Sequence, residues 1–183
     1  MILEPAHTWA WQFDQDHNRL SIELGGGLVF MTPYGSKWLI PDACLGGAFD
    51  VDDAHYYAAV INALAPCDTL SDPERVQAAL NACAIRRFAK PSMPKSWFFA
   101  ENPQGVEAAT SPSLVSLQTA FGRGQCLAIE SFESNSTLCM LLDGPLGLSD
   151  SQTLGCFQVV KVMNNRLWPS QWQRQGDNLR RVS

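Results

Sequence analysis

The first third of the chain alternates polar and apolar residues with the two-residue period of β-strands. The alternation is clear in TWAWQFD (residues 8–14) and in RLSIEL (residues 19–24), where apolar side chains including Ile22 share one face. QDHN joins these two segments with residues typical of a turn. Three glycines at 25–27, suited to positive φ, precede a third apolar run at 28–32. The pattern predicts a three-stranded meander.

The period then changes to that of amphipathic helices. FDVDDAHYYAAVINALA (residues 49–65) predicts a first helix, and the carboxylates of Asp50, Asp52 and Asp53 suit the capping of its free N–H groups. LSDPERVQAALNACAIRRF (residues 70–88) predicts a second helix, with Pro73 in its first turn. The last turn carries two cations that suit the helix dipole, Arg86 and Arg87.

Two prolines in AKPSMP (residues 89–94) oppose helix and predict a domain boundary. Short apolar runs with turn residues between them follow, which predicts a small β-barrel or sandwich. They are SWFFA, GVEAAT, LVSLQT, QCLAIESF, TLCMLLD and CFQVVKVM. The sequence thus predicts an α+β protein with an N-terminal domain at 1–89, a C-terminal domain at 90–169 and a polar, weakly ordered tail at 170–183.

The composition argues against general binding of nucleic acid and against insertion into a membrane. The 183 residues are 46% hydrophobic and 17% charged, and the formal net charge is −5. This acidity argues against a general electrostatic hold on nucleic acid, which depends on neutralising phosphates. The sequence shows neither a secretory leader nor an apolar run of the ~20 residues that a membrane span needs. We therefore expect a cytoplasmic protein that does not enter the membrane.

No pattern of catalytic or metal-binding residues is apparent. The six cysteines include no C-x-x-C pair, the three histidines lack metal-ligand spacing, and G-x-S-x-G is absent. We expect no catalytic residue, metal or cofactor, and six reduced thiols. A Cys/His pair that meets only in the folded protein stays open as an alternative, which makes a thiol-dependent hydrolase one rival function.

KPSMPKSWFF (residues 90–99) instead indicates a binding surface. It places Lys90 and Lys95 on a backbone stiffened by proline, beside Trp97 and two phenylalanines. Aromatic residues and cations together are typical of protein interfaces. The plainer alternative is that these aromatic residues begin a core strand and the lysines are only solvated.

A second basic cluster recurs near the end of the chain. Lys161 and Arg166 stand among apolar residues in VVKVMNNRLW, and strand periodicity places Lys161 and Met163 on one face. A nucleic-acid-binding β-barrel is the other rival function. In that case Trp97, Phe98 and Phe99 stack on single-stranded bases, and Lys161 and Arg166 hold phosphates.

Six motifs give the chain a resemblance to a known family. They are W-x-W at 9–11, D-x-x-H-x-R at 14–19, PDA at 41–43, F-x-VDDA at 49–54, KP-x-MPKSW at 90–97 and K-x-MN-x-RL-x-P at 161–169. With these motifs the sequence resembles the Z-ring-associated protein C (ZapC) family of Gram-negative bacteria. KP-x-MPKSW is the specific block, whereas W-x-W alone is not.

The resemblance implies a non-enzymatic cytoplasmic protein that is recruited to the division ring at midcell. Such proteins bind the globular, polymerising core of FtsZ, promote lateral bundling of its filaments and restrain its GTPase activity. The implied fold is an N-terminal α/β domain, a β-meander plus two helices, followed by a C-terminal twisted β-barrel-like domain. Each domain is expected to carry a surface pocket.

The resemblance also implies site residues. By position, Lys90 and Lys95 match basic residues of the FtsZ-binding surface, and Ile22 matches an apolar residue of the N-terminal pocket. We infer partner-binding roles for Trp97, Lys161 and Arg166 from their places in the shared motifs. Trp97 is expected to be buried and to fix the domain junction. Bundling requires two contact surfaces on a monomer, which we favour, or one on each chain of a homodimer.

Overall fold

A computed structural model describes residues 1–104 and 111–172, which form two compact units. The first contains Met1–Ile61 and Asp72–Pro91, and the second contains Asn62–Ser71 and the described residues from Ser92 to 172. The described α-helices are α1 (Val51–Leu64) and α2 (Asp72–Phe88), and the described sheets are antiparallel. The predicted α+β class is confirmed. The predicted strand GVEAAT and residues 173–183 of the predicted tail lie outside the described residues.

The first unit contains a four-stranded sheet of order β3-β2-β1-β4. Its strands are β1 (Ala10–Asp14), β2 (Arg19–Glu23), β3 (Val29–Met31) and β4 (Gly47–Ala48). The predicted meander is confirmed, and Gly25, Gly26 and Gly27 between β2 and β3 have φ of 83°, 61° and 80°. Strand periodicity directs Trp11, Leu20 and Ile22 into the core.

Reciprocal hydrogen bonds fix the first turn of α1. The Asp53 N–H donates to Asp50 Oδ1 at 2.9 Å, and the Asp50 N–H donates to Asp53 Oδ2 at 3.0 Å. Each carboxylate thus satisfies a backbone donor that the helix leaves free, in the manner of a capping box. The capping role predicted for these aspartates is confirmed. In α2, every residue from 78 to 85 is buried.

The Asp53 carboxylate also joins α1 to two other elements of the first unit. Its side chain is 5% exposed and forms an ion pair with Arg87 near the end of α2. It also accepts a 2.9 Å hydrogen bond from Trp11 Nε1 on β1. Arg87 further donates to the Ala48 carbonyl at 3.1 Å. The local pattern assigned Arg87 only to the helix dipole, whereas the structure gives it a tertiary ion pair.

The second unit is built on a five-stranded antiparallel sheet of order β10-β7-β6-β5-β11. The strands are β5 (Ser113–Thr119), β6 (Gly122–Phe132), β7 (Ser136–Leu141), β10 (Val159–Met163) and β11 (Trp168–Pro169), with β8 (Leu146–Gly147) and β9 (Thr153–Leu154) forming a separate pair. Because β10 and β11 are both edges, no closed barrel is found in the described residues, and the predicted barrel-like form is not confirmed.

The segment SWFFA is not the predicted strand. Ser96–Phe98 forms one turn of 3₁₀ helix, closed by a 3.0 Å hydrogen bond from the Phe99 N–H to the Ser96 carbonyl. The turn sends only Phe99 into the core of the second unit. Farther along the chain, Ser170 is buried and its hydroxyl donates to Gln125 Oε1 at 2.8 Å.

We expect Asp53→Asn to lower the free energy of unfolding by about 2–3 kcal/mol. The substitution leaves Arg87 opposite a neutral group, and losing one partner of a buried pair costs about 3–5 kcal/mol. We reduce that figure because the Arg87 side chain is 33% exposed. Urea unfolding followed by circular dichroism measures the change. The matched control is Asp52→Asn, an exposed carboxylate in the same turn, for which we expect less than about 0.5 kcal/mol. Equal effects of the two substitutions contradict the proposed role of Asp53.

Candidate functional site

The four lysines of the chain share an unusual electrostatic environment. Among the described residues, the ion pairs are formed by arginines, His17 and the N-terminus, and none involves a lysine. This holds although the chain has 18 acidic residues. The ammonium groups are therefore not neutralised by a described carboxylate. They are Lys37, Lys90, Lys95 and Lys161.

In the second unit, hydrogen bonds bring the two predicted basic clusters together. The Lys95 N–H donates to the Lys161 carbonyl at 2.8 Å, and the Met163 N–H donates to Ser96 Oγ at 2.8 Å. Because β10 is an edge strand, the segment before Trp97 lies along that edge. We call the side chains of Lys95, Trp97 and Lys161 the β10-edge surface.

Lys161 is held against an aromatic ring. Its Nζ lies 4.0 Å from the centroid of the Phe132 ring, within the range of a cation–π interaction. On β10, residues 159, 161 and 163 are partly exposed, whereas 160 and 162 are buried. The prediction that Lys161 and Met163 share a face is confirmed. The contact with Phe132 restricts where the ammonium group can lie before any partner arrives.

Trp97 is exposed, so the prediction that it is buried is wrong. Its exposed fraction is 70%, whereas Phe99, two residues later, is 3% exposed and belongs to the core. The physical reason is the 3₁₀ turn, which points the two side chains in different directions. The indole of Trp97 lies 5.5 Å from the Phe98 ring. An exposed tryptophan is among the side chains that protein interfaces most often use.

Arg166 and Ile22 occupy environments unlike those of the lysines. Arg166 is partly buried and lies 3.9 Å from Glu101 Oε2, so a carboxylate of its own unit already faces it. Ile22 is fully buried in β2, and its side chain does not reach the surface. The partner-binding roles of both residues stay predictions. Of the two side chains, that of Arg166 is the more exposed to solvent.

Lys90 belongs to the first unit, whereas Lys95 belongs to the second. The backbone N–H of Lys90 donates to the Trp38 carbonyl at 3.0 Å, and Trp38 is 52% exposed. Sequence reasoning missed Trp38 and its neighbour Lys37. The dipeptide has the same lysine and aromatic composition as the KPSMPKSW segment but no prolines to mark it. The roles of Lys90 and Lys95 in binding stay predictions.

The thiols do not favour nucleophilic chemistry. Burial raises the pKa of Cys83 and of Cys126 well above the ordinary value, and it raises the pKa of Cys139 to about 12. Since the thiolate is the reactive form, these three groups are poor nucleophiles near neutral pH. Among the described residues no cluster of side chains suits a metal ion, and no helix is long and apolar enough to cross a membrane.

We expect Trp97→Ala to lower the free energy of unfolding by less than about 1 kcal/mol, because the side chain is mostly solvated. Phe99→Ala, its matched control, removes a buried ring two residues away and should cost about 3–5 kcal/mol. Urea unfolding of both variants tests the assignment. A loss for Trp97→Ala as large as that for Phe99→Ala contradicts it.

We expect two thiols, Cys44 and Cys156, to react with a thiol reagent in the native protein near neutral pH, because only these two are exposed. The other four are buried and should react only in denaturant. Mass spectrometry after a short alkylation measures which positions are modified. Rapid labelling of Cys83, Cys126 or Cys139 contradicts the raised pKa values.

Both parts of the chain match models of one family. Residues 2–90 match "Cell-division protein ZapC, N-terminal" and residues 91–173 match "Cell-division protein ZapC, C-terminal". Relatives named "Cell division protein ZapC" are similar over nearly their whole length. The Ferrimonas balearica protein is 39% identical over 171 residues, covering 93% of this chain and 94% of its own. The Aeromonas hydrophila protein is 39% identical over 169 residues, covering 92% and 93%. The Vibrio cholerae protein is 35% identical over 167 residues, covering 91% of each. The chain therefore belongs to the ZapC family of cell division proteins.

Proposed function

We propose that this protein binds the globular core of FtsZ, promotes lateral bundling of FtsZ filaments and so stabilises the Z-ring at midcell. Family membership makes cell division the setting. The observation that carries the proposal is the β10-edge surface, where the backbones of Lys95 and Lys161 are hydrogen-bonded, Lys161 Nζ lies over the Phe132 ring and the Trp97 side chain is exposed. We infer a cytoplasmic protein that acts as a monomer and uses neither cofactor nor metal.

The β10-edge surface suits a partner patch in which carboxylates surround an apolar group. The cations attract the carboxylates, which raises the association rate and makes it sensitive to salt. The indole of Trp97 offers apolar area that leaves water on contact, which slows dissociation. This protein has a formal net charge of −5, so most of its surface repels an acidic partner. Attraction confined to a few lysines therefore also orients the complex.

Restraint of the FtsZ GTPase needs no catalytic group in this chain. A ligand that binds the filament more tightly than the free subunit shifts the equilibrium toward the filament. Cross-linking adds a further requirement, since two contacts must be made at once. A monomer meets it if each of its two units carries one contact. Slower subunit turnover within bundles then lowers GTP hydrolysis indirectly.

The structural observations weigh against the two rival functions. Of the three aromatic residues proposed to stack on bases, Phe99 is buried and Phe98 is partly buried, which leaves Trp97 alone. Arg166, proposed to hold phosphate, faces Glu101. The hydrolase is disfavoured for the three thiols whose pKa burial raises. The family is one of cell division proteins and not a known family of enzymes.

We expect the protein to co-sediment with FtsZ polymerised by GTP, to increase the pellet and to lose this effect as salt rises. Lys95→Glu and Lys90→Glu should each weaken co-sedimentation about tenfold at moderate salt, because like charges then face the partner. Arg123→Glu, an exposed cation with the same charge change at the start of β6, is the matched control and should bind normally. The proposal fails if the wild-type protein stays in the supernatant while FtsZ polymerises.

A further inference from the structure

In the first unit, two chain segments pair in a short antiparallel bridge. Leu39 and Ala89 are bridge partners, flanked by hydrogen bonds from the Ile40 N–H to the Phe88 carbonyl at 2.8 Å and from the Lys90 N–H to the Trp38 carbonyl at 3.0 Å. Residues on either side of such a bridge lie opposite one another. The Lys90 backbone is therefore held directly against that of Trp38, which ends a 3₁₀ turn (Ser36–Trp38).

The Trp38 side chain points to solvent. Leu39 is 2% exposed, whereas its neighbour Trp38 is 52% exposed. Lys90 is exposed as well. The indole is thus held in place by a paired backbone while much of its ring stays in water. An exposed ring on a fixed backbone loses little freedom when it binds a partner.

A second lysine completes the cluster. Lys37 is exposed, and its Nζ lies 5.3 Å from the centroid of the Trp38 ring. At an exposed site such a cation–π contact is weak, so stabilising the fold does not explain the arrangement. Neither Lys37 nor Lys90 appears in an ion pair with a described residue. One ammonium group therefore lies near the indole, a second lysine is bonded to the Trp38 backbone, and neither lysine has a described carboxylate partner.

We propose that Lys37, Trp38 and Lys90, the Trp38 surface, bind an acidic peptide segment. Carboxylates of the segment contact the two ammonium groups, and an apolar side chain between them packs on the indole. The argument is charge complementarity, because this cluster is a local excess of positive charge on an acidic protein. Trp38 is the contact residue, since tryptophan is among the residues that most often dominate binding energy.

The inference rests on the proposed function for the identity of the partner, since FtsZ then supplies the segment. The chemistry of the Trp38 surface does not depend on it. The Trp38 surface and the β10-edge surface together give each unit one contact site for a partner patch in which carboxylates surround an apolar group. That is the number of contacts a cross-linking monomer requires.

A labelled synthetic peptide, Glu-Asp-Leu-Glu-Asp-Ile-Glu-Asp, tests the Trp38 surface by fluorescence anisotropy at low salt. The full chain carries Lys95→Glu in this assay, which cancels the net positive charge of the β10-edge surface. We expect saturable binding that is lost with a second peptide in which Gln and Asn replace the acids. Trp38→Ala and Lys37→Glu should each weaken binding at least tenfold, whereas Trp38→Phe should stay within threefold.

Leu45→Ala, which truncates an 82% exposed side chain of the same unit, is the matched control and should bind normally. Thermal melts check that every variant is folded, and Trp38→Phe keeps an aromatic ring in case Trp38→Ala is unstable. The inference is overturned if the acidic peptide does not bind, or if Trp38→Ala and Lys37→Glu both bind within twofold of the parent chain.

Sedimentation of the wild-type chain with FtsZ separates the two proposals. Failure to co-sediment sinks the proposed function, while loss of peptide binding on Trp38→Ala still supports the Trp38 surface. Normal co-sedimentation of wild type, Trp38→Ala and Lys37→Glu alike overturns FtsZ as the source of the acidic segment and leaves the proposed function standing.

Discussion

The first unit depends on how one nearly buried carboxylate is satisfied. Asp53 caps α1 through Asp50, accepts from the indole of Trp11 on β1 and pairs with Arg87 on α2. A buried charge without partners is costly, so any packing that separates these elements is disfavoured. Phe88 is the last residue of α2 and directly follows Arg87. The ion pair of Arg87 therefore also fixes the end of α2. From there Ala89 and the next residue leave the helix to pair beside Trp38. The placement of the Trp38 surface therefore follows from the same carboxylate.

Arginine and lysine differ in the contacts that they make in this protein. Among the described residues, Arg75 pairs with Asp72, Arg87 with Asp53, and Arg86 lies 4.6 Å from the Tyr56 ring centroid. The planar guanidinium offers several fixed donors and suits such internal contacts. Lysine is a compact, strongly hydrated charge on a flexible stem, and the described ion pairs leave it out. Two of the lysines, Lys37 and Lys161, instead lie against aromatic rings, and no described carboxylate neutralises their charge.

Features with a local cause could be predicted from the sequence. The meander, the two helices, the Asp50–Asp53 cap and the shared face of Lys161 and Met163 follow from periodicity or from neighbours within one turn. Features set by distant residues could not. Three consecutive aromatic residues have no period, so the choice of Phe99 over Trp97 for the core depends on hydrogen bonds from the preceding segment to β10. The proximity of Trp38 to Lys90 likewise requires a bridge between segments far apart in the chain.

The segment along the edge of β10 has a consequence for how the protein associates with others. An open strand edge invites pairing with a foreign strand and, from there, irreversible aggregation. Here the Lys95 N–H and the Ser96 hydroxyl already occupy backbone groups of Lys161 and Met163. Growth of the sheet through this edge is thereby blocked, and contacts at this place must be made by side chains. Contacts made by side chains leave the sheet itself unchanged, so the protein can bind a partner and separate from it again without seeding an aggregate.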